Sequence, residues 1–311
     1  MVLESIFSIK EYGETHKILR IFGLKIKFPK PEFAKKKKEN PYYYYKENNI
    51  NITTLPPATG QLRDIQLANF TLLKELDYVC KQNNLTYWLD GGTLIGAVRH
   101  KGFIPWDDDI DTAMPRADYE KIIDAFKKSS RNPDIFAGVT KDVNNNCIIK
   151  VQHKKCQHLF VDIFPWDTYG TSLTTEKQVK ETVRIKEIRA RFKGVKLGTE
   201  ELKQKLNETM IEEVLPKEKA ENSDFVWGID YNHQWKNWFT RYDVVYPMKT
   251  IVFEGEEFPC INNPDAFLTR VYGDYMAYPN KIGFGHAMFL DLTDADKEVI
   301  EDLKGGYGTA K

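Results

Sequence analysis

From Gly60 onward the apolar positions fall at helical spacing. Leu62, Ile65, Ala68, Leu72, Leu73, Leu76, Val79 and Cys80 make one stripe, which predicts an amphipathic helix over 61–83, ended by Asn83-Asn84. The pattern then shortens. Residues 85–89 read as a strand running into Gly91-Gly92, and Thr93 reads as the N-cap of a short helix through Val98. Residues 110–114 read as a strand stopped by Pro115, and 118–128 as a helix with Tyr119, Ile122, Ile123 and Phe126 on one face. Two further strands are predicted at 147–151 and 159–164, then a long charged helical segment over 174–218 with Val179, Val183, Ile185 and Ile188 inward. Strands follow at 225–229 and 250–258, the latter turning at Glu254-Gly255-Glu256, and Pro264 opens a helix that ends at Gly273. Helices alternating with short strands predict a mixed α/β fold, a small mixed sheet flanked by helices.

Residues 1–59 break this pattern and read as a basic N-terminal extension. Ile18, Ile21, Phe22, Leu24, Ile26 and Phe28 alternate with cations, as in a short amphipathic element followed by a strand. Between Lys17 and Lys38 nine cations face Glu32 alone, a local charge of +8 in a chain whose 45 basic and 45 acidic residues cancel overall, so the remainder is about as negative as this stretch is positive. Such a stretch fits peripheral contact with an anionic membrane face, or equally a solvated leader or a crossing strand of the main fold. The catalytic body is expected over 60–295, with the helical insert at 174–218, and a C-terminal tail over 296–311. With 41% hydrophobic and 13% aromatic residues, the chain is globular rather than disordered.

Cys80, Cys147, Cys156 and Cys260 are scattered without a CxxC pair, which fits reduced thiols in the cytoplasm. No stretch approaches the ~18–20 apolar residues of a membrane span, and the start MVLESIFSIKEYGE lacks the layout of a signal peptide. The expected location is cytoplasmic, at the inner face of the membrane if the basic extension touches it. No nucleic-acid partner is expected.

The candidate chemistry lies between Tyr87 and Met114. Four carboxylates, Asp107, Asp108, Asp109 and Asp111, occupy five positions beside Trp106 and Ile110. Such crowding is unfavourable without a cation, and Asp109 and Asp111, two apart, would point to one side of a strand. They fit a Mg2+ or Mn2+ site, whereas an acidic surface loop is the simpler alternative. Gly91, Gly92 and Thr93 form a turn whose backbone can approach a phosphate, and Arg99, His100 and Lys101 follow as cations. Asp162, a lone acid among Phe160, Val161, Ile163 and Phe164, is the candidate third carboxylate, as metal ligand or as base. Trp88, Trp106 and Trp166 flank these motifs. They fit either the wall of a substrate pocket or ordinary core. His153, Cys156 and His158 lack a second pair at zinc spacing, and no GxxxxGK[ST], GxSxG or HExxH motif occurs.

The wording of these motifs is particular. WLDGGTLIGAVRHKGFIPWDDDID, FVDIFP, VFEGEEFP and AFLTRVYGDYMAYP with a later His resemble the LicD family, over roughly residues 60–290. That family includes bacterial phosphocholine transferases and is related to fukutin-type proteins. The resemblance implies a nucleotidyltransferase fold and a phosphotransferase that takes a phospho-alcohol from a CDP-alcohol, commonly CDP-choline. The acceptor would be a sugar hydroxyl of a surface glycan or its precursor, with CMP released. It implies metal binding by Asp109 and Asp111, a third acid at Asp162, and later-motif roles for Glu254, Tyr272, Gly273, Asp274 and His286. Other CDP-alcohols (ribitol, glycerol, ethanolamine) remain open as donors. A DxD-type sugar-nucleotide glycosyltransferase is the alternative enzyme, and a glycan-binding protein without activity the non-enzymatic one.

Overall fold

The structure is a computed structural model describing residues 7–12, 16–21, 24–29, 41–170, 173–217, 222–231, 239–283 and 290–306. It divides into two units, Met1–Leu55 and Pro56–Lys311.

The first unit holds an antiparallel meander of β1 (Phe7–Tyr12), β2 (His16–Ile21) and β3 (Leu24–Pro29), followed by α1 (Pro41–Glu47). Alternation through Leu24, Lys25, Ile26, Lys27 and Phe28 is a strand period, and the same period runs back into β2, where a single strand had been expected after an amphipathic element.

The second unit opens on α2 (Gly60–Asn83), closed by Asn84 in the left-handed conformation at φ 53°. Its predicted stripe is buried, and so are four polar residues of the same helix, Gln66, Asn69, Thr71 and Glu75. The expected strand at 85–89 narrows to β4 (Trp88–Leu89), because Leu85 N–H still bonds Cys80 O and Thr86 N–H bonds the Asp118 carboxylate. Next come α3 (Gly91–His100), β5 (Ile110–Pro115), α4 (Arg116–Tyr119) and α5 (Ile122–Ser129), so the single helix expected over 118–128 is interrupted near Lys121. Then follow β6 (Ile135–Lys141), β7 (Cys147–His153) and the long β8 (Cys156–Thr168). The charged segment forms α6 (Thr175–Ala190) and α7 (Thr199–Thr209) with a π-turn over Met210–Val214. Val179 and Val183, expected inward, are exposed on α6, while Ile185 and Ile188 are buried. The chain continues through β9 (Phe225–Trp227), β10 (Phe239–Thr240), α8 (Tyr242–Val245), the hairpin β11 (Lys249–Phe253) and β12 (Glu256–Cys260), and α9 (Pro264–Tyr272). The last element is α10 (Asp294–Lys304), capped by the reciprocal Thr293–Asp296 pair. The segment read as a C-terminal tail is therefore helical through Lys304. Val299, Ile300 and Leu303 are buried, and Thr71 of α2 donates to Leu303 O at 2.7 Å.

The fold is mixed α/β, a mixed sheet flanked by helices. Strand β8 organises the sheet. Val161–Trp166 pairs parallel with β5 along one edge, while β7 and then β9 pair antiparallel along the other. No helix among the described residues is long and apolar enough to cross a membrane.

Candidate active site

The acidic loop before β5 is held from beneath by α2. Gln66, fully buried, donates to Asp107 O at 2.7 Å, and Asn69, also fully buried, donates to Asp108 O at 2.8 Å. Asn69 Oδ1 accepts from Phe160 N–H at 2.9 Å, which ties the loop to β8. A buried amide without partners is costly, so these two residues fix the loop only in this position. One turn earlier, Arg63 pairs with Glu254 at 2.5 Å, and Glu254 also accepts from Phe103 N–H at 3.0 Å. A Cβ on Gly102 would stand 2.3 Å from Glu254 Oε1, so this close approach needs glycine. Glu254 is thus a brace for the loop, on the turn of the β11–β12 hairpin.

The Gly-Gly turn closes on the other side. Asp90, rather than Thr93, caps α3. Its Oδ1 accepts from Gly91 N–H at 2.8 Å and its Oδ2 from Trp166 Nε1 at 3.3 Å. Burial pushes the Asp90 carboxyl up to about 7 despite these two donors. Gly92 N–H donates to Asp111 Oδ2 at 3.1 Å, and Asp111 N–H donates to Thr93 Oγ1 at 2.8 Å. The turn read as a phosphate cradle grips the Asp111 carboxylate. Gly91 has φ 50°, and a Cβ there would lie 2.3 Å from Asp111 Oδ2.

Strand register assembles the rest. Asp111 and Asp162 are partners across the parallel β5–β8 pair, and Asp162 and Lys150 across the antiparallel β8–β7 pair. Neighbouring strands lie ~4.8 Å apart and register partners share a face, so two carboxylates and one ammonium form a row across the sheet. Asp107, Asp108 and Asp109 add a trio whose oxygens lie within 4.8 Å of one another. Asp107 and Asp111 are held well above the usual carboxylate range. Burial is the main cause, followed for Asp111 by the charges of Asp109, Asp162 and Asp107. Tyr272, at the end of α9, has its hydroxyl pushed up by burial and then by Asp111, Asp90, Asp107 and Asp109. Tyr231 is raised by burial and then by Asp162 and Asp111. This all-oxygen donor set, whose carboxylates raise one another, fits a hard divalent cation such as Mg2+ or Mn2+.

The family described as "LicD/FKTN/FKRP, nucleotidyltransferase domain" matches residues 84–194, from the end of α2 through the row and into the helical insert. Residues 84–194 thus form a LicD-family domain. A "Lipopolysaccharide cholinephosphotransferase LicD" from Haemophilus influenzae is 28% identical over 250 residues, covering 70% of this chain and 92% of that protein. Human "Ribitol 5-phosphate transferase FKRP" is 33% identical over 91 residues, 28% of this chain and 18% of that protein. "Uncharacterized protein RT0683" of Rickettsia typhi is 30% identical over 109 residues, 33% of this chain and 35% of that protein.

Within this LicD-family site, the sequence-derived candidates separate. Asp107, Asp108, Asp109, Asp111, Asp162, Gly91, Gly92, Thr93 and Tyr272 gather around the acidic cluster. Trp88 and Trp166, 0% and 1% exposed, pack edge to face at 5.2 Å and leave no face for a ligand. Trp106 immediately precedes the acids but is also buried, stacked with Tyr278 at 6.5 Å and 20° and with the Arg99 guanidinium 5.8 Å over its ring. Arg99 is buried, donates to Tyr275 O at 2.5 Å, and is lowered to about 10 by burial although Asp107 opposes that shift. Lys101 is exposed, caps α3 at φ 60°, and places its ammonium 3.5 Å from Val98 O instead of among the acids. Asp274 is exposed just beyond α9, and His286 lies outside the described residues. Sequence reading passed over Asp90, Lys150, Tyr231, Gln66 and Asn69. The available signal was polarity inside apolar patterns: Gln66 and Asn69 on a buried helical stripe, Lys150 in the middle of a strand.

The LicD-family site carries an acid-sensitive support. His100 Nε2 accepts from Arg99 Nε at 2.9 Å, and burial, then the Arg99 charge, lowers His100 to about 3. The unfolded chain takes up this proton near the ordinary value of ~6.5 and the folded chain only far lower. His100 therefore withdraws stability as pH falls from ~6.5 toward 3, and contributes no slope above that window. His100→Gln keeps an acceptor for Arg99 and removes the titration. Melting temperatures between pH 7 and pH 4.5 are expected to fall less steeply in the variant than in wild type. Equal slopes would show that His100 is not held neutral.

Proposed function

We propose that this protein transfers a phospho-alcohol group from a CDP-alcohol to a sugar hydroxyl of a glycan, releasing CMP, with CDP-choline as the donor. The observation that carries this reading is the in-register pairing of Asp111 with Asp162 beside the gripped acidic trio. Its support from relatives is that one is named a cholinephosphotransferase and another a ribitol 5-phosphate transferase, so both names carry a phosphate-linked alcohol.

Asp107, Asp109, Asp111 and Asp162 would hold Mg2+ or Mn2+, which when bound supplies positive charge to the donor's diphosphate. Around it the chain's own residues position the reactants. The acceptor hydroxyl oxygen forms the new P–O bond to the alcohol-bearing phosphorus. The bond from that phosphorus to CMP breaks, CMP carries away the electron pair, and a carboxylate of the row takes the hydroxyl proton. Gly92 and Thr93 keep Asp111 in place during this exchange, and Gln66 and Asn69 hold the trio.

A donor panel tests the reading: CDP-choline, CDP-ribitol, CDP-glycerol and CDP-ethanolamine, each with Mg2+ or Mn2+ and candidate sugars, with CMP release measured. CDP-choline is expected to turn over fastest and only with the metal. Turnover of another donor but not CDP-choline would sink the choline assignment and leave the reaction class standing. No CMP from any donor would remove both.

A further inference from the structure

We infer that Lys150 binds the diphosphate of the donor, serving as a second positive charge in the site beside the divalent ion. This rests on the function proposed above. At one level of the sheet the residues in register are Gly138 on β6, Lys150 on β7, Asp162 on β8 and Asp111 on β5. The Lys150 ammonium lies 2.7 Å from Asp162 Oδ1 and 3.7 Å above the Phe160 ring. Phe160 and Asp162 are two apart on one strand and so share a face. A lysine held by a carboxylate on one side and an aromatic face on another is fixed in place, unlike the mobile partner of an ordinary surface ion pair.

The alternative is that Lys150 only neutralises Asp162. Three features favour a ligand. The Lys150 side chain keeps 21% of its surface exposed, so its tip is reachable. The residue beyond it in the row is Gly138, which puts no side chain over the ammonium. The cations expected to meet phosphate from sequence are committed elsewhere, Arg99 to Tyr275 O and His100, Lys101 to the exposed end of α3. A diphosphate arriving at Asp111 and Asp162 therefore meets Lys150 as the cation built into that row. Lysine suits this role as a compact charge with three donors, able to exchange one carboxylate contact for a phosphate oxygen.

The test is calorimetric binding of CDP-choline and, separately, inorganic pyrophosphate to the full chain in the presence of Mn2+, with Mn2+ binding followed by electron paramagnetic resonance. Lys150→Met is expected to weaken both phosphate ligands by about tenfold or more. Mn2+ affinity should stay the same or tighten, since a competing cation has left Asp162. Lys150→Arg should recover most of the loss and also serves if Lys150→Met does not fold: arginine binding within threefold of wild type agrees with the proposal, and loss as deep as in methionine opposes it. A Lys150→Met protein with a lowered melting temperature but wild-type affinity for both ligands would reduce Lys150 to a structural partner of Asp162 and overturn the inference. If wild type binds pyrophosphate in a Lys150-dependent way but no CDP-alcohol, the donor assignment falls and the lysine's role stands. If wild type binds neither, both fall.

Discussion

Asp111→Asn is expected to lower CMP release by about a thousandfold or more, on the order of 4 kcal/mol in the barrier, without unfolding the protein. Asp111 stands at the centre of the charge. Its register partner is Asp162, and the fields of Asp109, Asp162 and Asp107 act on it in that order. Asparagine keeps an oxygen to accept Gly92 N–H, and the backbone bond from residue 111 to Thr93 is untouched. What disappears is a negative charge that the neighbouring carboxylates repel. Without divalent cation the variant should therefore melt at or above the wild-type temperature, and the rise that Mn2+ gives wild type should shrink or vanish. Loss of activity with equal or greater stability separates a site residue from a structural one. Turnover close to wild type would rule out a metal site at this position.

Gly91→Ala is expected to damage both stability and activity. The added methyl meets Asp111 Oδ2 at 2.3 Å, on a backbone at φ 50°. Strain from the left-handed backbone alone is worth roughly 1–3 kcal/mol, and the clash adds to it by pushing away the carboxylate gripped by the turn. A displacement of about an ångström at a reacting group costs about a hundredfold in rate. Gly255→Ala is the matched control. Gly255 has φ 83°, but a Cβ there meets nothing within 4 Å, so it tests the backbone term alone. The expected result is a modest melting-temperature loss with activity retained for Gly255→Ala, and a larger loss on both measures for Gly91→Ala. Equal behaviour of the two variants would show that the contact with Asp111 is not what position 91 protects.

Much of the fold was readable because burial and period coincide. The α2 stripe, β5, β7, β8 and the β11–β12 turn all appear near where the apolar pattern places them. The errors arise where another interaction competes. Thr93 has the chemistry of an N-cap, yet Asp90 fills that role and leaves the Thr93 hydroxyl to receive Asp111 N–H. Trp88 and Trp166 flank the motifs in sequence, yet a two-residue strand and the C-terminal end of β8 carry them into the core. The acids themselves were legible as a run of like charge. Lys150, the register partner of Asp162, was not, because cross-strand neighbours depend on pairing between β7 and β8 that no local pattern encodes.

Glu254 has a wider implication. It lies in the VFEGEEFP segment, at φ 51°, with Arg63 and Phe103 N–H occupying its carboxylate. Its task is architectural, and a protein could discard the reacting acids while still needing this buttress to close the hairpin over the loop. In a newly sequenced relative, that segment would vouch for an intact scaffold and say nothing of catalysis. Under the proposed function, competence would be judged from the positions equivalent to Asp109, Asp111 and Asp162, even when every other signature is preserved.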